Sequence, residues 1–307
     1  MAEPSVTFAP EALALPPGAH AQGRRDWLVW GDRPLLALTP GLRRPYLYPL
    51  LSPAGYLLAS ESPADHPHHN ALWFGADHVH VRMPVGPGRH EVYTYGFYTD
   101  GVFQGRAPGR QVQAGARLET DADGRAVLVQ QIDWRGPEEW GAPDGRLVLQ
   151  EERRTTLLPG TRHHVLRLES RLRAAAWPVD LGPTRHAWFN VRVAETMTEA
   201  RGGIIRDNLG NRGADRIAAE AARWVDVTGP VGGGARAGVT VIAPPVGGLP
   251  QTWFVAGWGV VTVGPFRTSG RSLEPGEGFV TRYTVILHDD DIADDDIAAA
   301  GHWMESA

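Results

Sequence analysis

Apolar and polar residues alternate with a period of two along several stretches of the chain. From Leu166 to Leu172, the residues Leu166, Leu168 and Leu172 alternate with Arg167, Glu169 and Arg171, as in a strand with one dry and one wet face. From Phe279 to His288, Phe279, Tyr283, Val285 and Leu287 share one side, and Arg282, Thr284 and His288 the other. Shorter apolar runs at 27–30, 46–51, 56–59, 126–132, 146–150, 239–242 and 258–263 predict further strands. Turn residues punctuate them, and Asp123-Gly124 and Pro159-Gly160, each between alternating runs, predict hairpins. Helical patterning is confined to 215–224 and to the tail at 294–304. Many short strands with few short helices predict an all-β fold, a large two-sheet antiparallel β-sandwich. No composition break marks a linker and no repeat appears, so residues 1–307 are expected to form a single domain.

Composition narrows the range of partners. The formal net charge is −5 and all 30 basic residues are Arg. They are scattered among acids, without the basic stripe that tracks phosphates, so no nucleic-acid partner is expected. Cysteine is absent, which excludes thiolate chemistry. No stretch approaches the roughly 20 apolar residues that span a bilayer, so no membrane partner is expected. The start of the chain, Met1-Ala2-Glu3-Pro4, lacks the basic and apolar segments of a secretory signal. A cytoplasmic location is the expectation; oligomeric state is left open.

Histidine distribution carries the chemistry. Five of twelve histidines crowd into fifteen positions, as Asp65-His66-Pro67-His68-His69-Asn70 and then His78-Val79-His80. Proline and polar density place the first group on a loop, and an extended backbone puts His78 and His80 on one face. Imidazole transfers protons near neutral pH and binds divalent metals. A second constellation runs Thr184-Arg185-His186-Ala187-Trp188-Phe189-Asn190-Val191-Arg192. If extended, His186, Trp188 and Asn190 share a face, an arrangement suited to covering a sugar ring and bonding its hydroxyls.

Several segments together resemble the PmoA-like family of bacterial domains. They are Arg44 through Leu50, Asp65 through Trp73, Val191 through Glu195, Trp224-Val225-Asp226, and Leu273 through Glu277 with Arg282-Tyr283. The resemblance spans about residues 25–290, and the His-Pro-His-His segment is its most specific part. The family name invokes methane oxygenation, but a chain without long apolar spans is not expected to be a genuine methane monooxygenase subunit. Thr184 through Asn190 and Leu273 through Glu277 are also distantly similar to segments of aldose 1-epimerases. That similarity implies the galactose mutarotase-like supersandwich and an acid/base role for His186. The catalytic glutamate segment of those enzymes has no counterpart between Val239 and Arg271.

The expected function is therefore a carbohydrate-active enzyme, an epimerase, lyase or hydrolase, working on a sugar-like small molecule by histidine acid/base chemistry. His186 is one expected catalytic group and His66, His68 or His69 the other. Asp65 is expected to orient an imidazole and Arg192 to stabilise an oxyanion. Trp73 or Trp188 would supply a stacking surface, and Asn70 and Asn190 would bond hydroxyls. No cofactor is required. Two alternatives stand: a divalent-metal enzyme whose ion is held by some of His66, His68, His69, His78 and His80, and a carbohydrate-binding protein without turnover.

Overall fold

The computed structural model describes residues 5–12, 24–217, 219, 221–246 and 251–304. Two eight-stranded sheets dominate it. The first runs in the order Val6–Ala12, Arg24–Trp30, Arg33–Thr39, Tyr46–Leu50, Leu72–Ala76, Ala187–Arg192, Val260–Gly264 and Thr252–Ala256. The second runs Ile204–Asp207, Trp224–Gly232, Ala235–Ile242, Gly278–Asp289, His163–Ala174, Leu147–Leu158, Ala126–Arg135 and Arg110–Thr120. All pairings within these two sheets are antiparallel.

The all-β sandwich is as the alternation predicts. Phe279, Tyr283, Val285 and Leu287 of one strand, and Leu166, Leu168 and Leu172 of its neighbour, all enter the core between the sheets. Across that core the Phe189 ring stacks on Tyr283 at 4.4 Å. Burying one such side chain contributes about 1.5–3 kcal/mol. Hairpins close at both predicted turns, joining Arg110–Thr120 to Ala126–Arg135 and Leu147–Leu158 to His163–Ala174.

Three expectations need correction. A third, five-stranded sheet, Arg271–Leu273, Val179–Leu181, Val79–Gly86, Arg89–Gly96 and Ala107–Pro108, adds to the two expected, and its last pair is parallel. The run at 56–59 makes only isolated bridges, Leu51 with Leu57 and Ala59 with Val193. In the stretch 215–224, the described helical structure is a single 3-10 turn, Ala214–Arg216, and a strand begins at Trp224. The tail is helical as expected. Helix Asp294–Gly301 opens with three aspartates, which favour its N-terminus. Its Ile297 and Ala300, with Met304 beyond, cover Val165, Trp224, Ile242 and Ile286 on the outer face of the second sheet.

The outer face of the first sheet is dressed differently. A small cluster of Tyr46, Trp73, Tyr98 and Val260 lies there, and polar side chains gather above it.

Candidate functional site

Alternation within three adjacent strands builds the floor. Phe74, Phe189, Val191, Val261 and Val263 turn into the core, so Trp73, Asn190, Arg192, Val260 and Thr262 take the opposite face. Asn190 lies opposite Thr262 on one neighbouring strand and opposite Trp73 on the other. Its Oδ1 accepts from the Thr262 hydroxyl at 2.8 Å, which ties the floor across strands.

The loop carrying Asp65 through Asn70 crosses this floor as two linked turns. The His66 amide donates to the Pro63 carbonyl at 3.0 Å, and the His69 amide to the His66 carbonyl at 2.9 Å. Pro67 occupies the second position of the latter turn, where its fixed φ is favourable. The turns crowd the three imidazoles, with His66 and His69 stacked at 4.7 Å and His68 edge-on to His69 at 4.6 Å.

Asp65 anchors one end. Its two oxygens accept from Arg192 Nη2 at 2.9 and 2.8 Å, and its Oδ2 lies 2.9 Å from His66 Nδ1. What burial it has acts to raise its carboxyl, but the bonds from His66 and Arg192 hold it down at about 2. The His66 ring lies flat on Trp258 at 4.3 Å, and the Arg192 guanidinium sits 4.7 Å from that same indole. His66 keeps 36% of its side chain exposed, and its Nε2 has no protein partner among the described residues.

A second carboxylate–imidazole pair lies at the other end. Ala76 pairs with Ala187 in the antiparallel ladder, and one rung further on that register Asp77 faces His186. Asp77 is 1% exposed, and its Oδ2 lies 2.9 Å from His186 Nδ1. The Thr184 hydroxyl donates to Oδ1 of Asp77, Arg106 donates to Oδ2 at 3.1 Å, and His78 Nδ1 lies 3.6 Å away. Burial works to raise the Asp77 carboxyl, and the bonds from His186 and Thr184 outweigh it and keep it ionised. A carboxylate at Nδ1 selects the tautomer that leaves Nε2 as a proton acceptor. The His186 side chain is 20% exposed, and Nε2 has no protein partner among the described residues.

His68, His69 and Tyr98 bridge the two ends. Tyr98 lies 5.7 Å from His68 and 5.1 Å from His186, and its hydroxyl is 3.4 Å from His69 Nε2. Burial, with the charge of Arg44, lowers His68 to about 4. Burial, reinforced by the neighbouring histidines, lowers His69 to about 2. Both imidazoles are neutral at pH 7. Arg44, 2% exposed, holds the rear by donating to the His68 carbonyl, Asn70 Oδ1, the Tyr98 carbonyl and Asp100. In front of it a 240 Å³ recess is lined by Leu42, Arg43, Arg44, Tyr46, Asn70 and Asp100.

The structure thus brings His66, His68, His69, Asp65, Asn70, Arg192 and His186 to one face, but not all in the expected roles. Trp188 is excluded from it. Its ring is fully buried, stacked on Trp134 at 5.2 Å, and its Nε1 donates to Thr281, so the core gains the apolar area while the indole N–H is satisfied. Trp73 is equally buried and forms floor, not a stacking surface. Asn190 spends its amide on the Trp188 carbonyl and Thr262, and Asn70 spends its oxygen on Arg44, so neither presents those groups to a ligand. His69 is 2% exposed and supports its neighbours.

His78 and His80 stack on each other at 5.9 Å at the start of the third-sheet strand Val79–Gly86, where His78 Nδ1 meets the Pro183 carbonyl and His80 Nδ1 the Thr94 hydroxyl. They do not join the other three histidines; His78 instead lies beside Asp77, 3.6 Å from its Oδ1. Among the described residues, no group of three or more His, Asp or Glu side chains is arranged to hold a metal ion.

Sequence reasoning passed over Asp77, Tyr98 and Arg106. Only the Asp77-His78 adjacency hinted at the first. A tryptophan such as Trp258 reads more readily as core than as a ligand surface, yet it is only partly buried.

The sequence family described as a family of unknown function, DUF6807, matches residues 28–302. The chain belongs to that family. This match lends no support to a PmoA-like label, and no curated protein matches the chain. Among solved structures, the DUF6807 chain is similar to a galactose mutarotase related enzyme from Lactobacillus acidophilus, with 8% identity, TM-score 0.38, and coverage of 94% of this chain and 99% of that one. A protein from Synechocystis sp. PCC 6803 aligns at 13% identity and TM-score 0.35, covering 94% and 97%. A TPR-domain containing protein from Parabacteroides distasonis aligns at 10% identity and TM-score 0.26, covering 95% of this chain and 54% of that one. The functional reading rests on the residues of the DUF6807 chain itself. No described helix is long and apolar enough to cross a membrane.

Proposed function

We propose that this DUF6807 protein is a carbohydrate-active enzyme that moves protons on a sugar or sugar-derived small molecule, with His186 as the principal acid/base and His66 as its partner. The observation that carries the reading is the Asp77–His186 pair, in which Nδ1 is held at 2.9 Å by a buried carboxylate while Nε2 has no protein partner among the described residues. On the same face the more exposed Asp65 likewise meets His66 Nδ1 at 2.9 Å. Two oriented imidazoles suit a step in which one group takes a proton and the other gives one, as epimerisation, elimination and hydrolysis all require. Half-buried Trp258 and Phe103 flank the two imidazoles and offer apolar edges to a ring's C–H surface.

Incubation with a panel of aldoses, uronates and keto sugars in D2O, followed by proton NMR, tests the proposal. Wild type should accelerate anomer exchange, deuterium incorporation or bond cleavage in at least one sugar, and His186→Gln should lose that activity. Saturable binding without conversion in wild type would replace the enzyme with a binding protein.

A further inference from the structure

Four arginines of this face are paired with carboxylates. Arg44 pairs with Asp100 at 2.9 Å, Arg192 with Asp65 at 2.8 Å, Arg106 with Asp77 at 3.1 Å and Arg25 with Glu61 at 2.6 Å. Asp65 and Asp100, the carboxylates at the rim, are therefore both engaged. Arg185 differs. It precedes His186, its side chain is exposed, and among the described residues no carboxylate lies within ion-pair distance of it. Its guanidinium is not adrift, because it lies 5.7 Å from the centre of the Phe254 ring. Arg267 lies 5.5 Å from the same ring, so two cations converge on one phenyl group. Arg185 lies on the face of the site, because Phe254 packs against the cluster of Tyr46, Trp73, Tyr98 and Val260. Burial pushes the Tyr98 phenol up to about 12. That phenol packs against His186.

A guanidinium held on an aromatic face beside the proton-transfer group, with no carboxylate partner among the described residues, is a preformed receptor for an anion. Its planar fork matches a carboxylate or phosphate in two parallel hydrogen bonds. A neutral sugar would leave that charge unused. We infer that the substrate is an acidic sugar, bearing a carboxylate or phosphate that Arg185 receives while His186 addresses a neighbouring carbon or oxygen. This rests on the function proposed above and narrows its substrate class.

Calorimetric titration of the full chain with D-glucuronate, D-galacturonate, D-glucose 6-phosphate, D-glucose and D-galactose tests it, for wild type, Arg185→Gln and His186→Gln. The expected result is that at least one anionic sugar binds tenfold or more tightly than its neutral counterpart, weakening as salt is raised. Arg185→Gln should erase that preference, while His186→Gln should largely keep it. Which anion binds decides between carboxylate and phosphate. Equal binding of neutral and acidic sugars, or an unchanged preference in Arg185→Gln, overturns the inference and leaves the sugar reading standing. No binding of any sugar brings down both. Arg185 is exposed, so its replacement is not expected to disturb folding, and an unchanged thermal midpoint checks this.

Discussion

Two of the aspartate–histidine pairs in this DUF6807 protein, Asp77–His186 and Asp226–His288, have buried carboxylates and are built for different ends. Asp226 and His288 lie on the second sheet, 1% exposed each, with Asp226 Oδ1 at 3.0 Å from His288 Nε2. The other nitrogen, Nδ1, meets the Asp290 carbonyl at 2.8 Å. Asp226 also accepts from Arg206 at 3.0 Å and from the hydroxyls of Thr240 and Thr228. Burial acts to raise its carboxyl, but His288 and Arg206 hold it below the usual range. Every polar atom of that imidazole is used. Asp77 and His186 share the chemistry but leave one nitrogen outward and one ring edge in water. The lesson is that the pairing itself does not distinguish a structural histidine from a working one. What distinguishes them is the unspent nitrogen and the path by which a ligand reaches it.

Substitutions at the two pairs should separate these roles. The largest expected effect is on turnover: His186→Gln should lower it by about 10²–10⁴-fold on whichever sugar the wild type converts, the range typical of removing a general acid or base. Steady-state kinetics would show it, and equal kcat in the variant would return His186 to the ranks of ordinary polar residues. The same change should lower the urea midpoint less than Asp226→Ala does, because the glutamine amide can still donate to Asp77 and Thr184 and Arg106 remain on that carboxylate.

Asp226→Ala should do the reverse. Removing one partner of a buried charged network costs about 3–5 kcal/mol, readable in urea unfolding, with turnover per folded molecule intact. A loss of activity without a loss of stability would mean that this second pair is also a site.

A smaller effect is expected from Trp258→Ala. It removes the surface on which His66 lies at 4.3 Å, so the Michaelis constant should rise several-fold with a lesser drop in kcat. An unchanged Michaelis constant would take Trp258 out of the ligand's path.

The mildest test is acid titration of stability. His68 and His69 are lowered to about 4 and about 2, by burial first, so the unfolded chain takes up protons near 6.5 that the folded one refuses. Their contribution is fully present above about 6.5 and falls away as the pH drops toward 4. His164, lowered to about 4 by burial, adds to the same slope. The urea midpoint should therefore decline over that window, less steeply in His69→Asn. An identical slope in the variant would show that His69 is not held neutral by its surroundings.

Comparison of particular residues shows what was legible in the sequence and why. Phe279 through Leu287 announced their buried side because a strand's two faces meet different solvents, and that difference is written in the residues themselves. The same rule failed at Trp188. Period two assigned it to the face of His186 and Asn190, whereas the core claimed it beside Trp134 and Phe279. The histidine cluster at 66–69 was visible as density of one residue type. Which of its members is exposed was not, because two turns and the floor beneath decide that.

The sequence by itself determined the all-β class, the strand periodicity, the hairpins, and the presence of imidazoles near Asp65 and at His186. These depend on local composition and on spacing along a few residues. Tertiary structure alone decided that Asp77 meets His186 across 109 positions, that His78 and His80 stand apart from the other three, and that Arg185 lies over Phe254 with no carboxylate partner among the described residues. Those outcomes depend on the register of distant strands. A sequence records which residues are present and how closely they follow one another, while register emerges only when the whole core is packed.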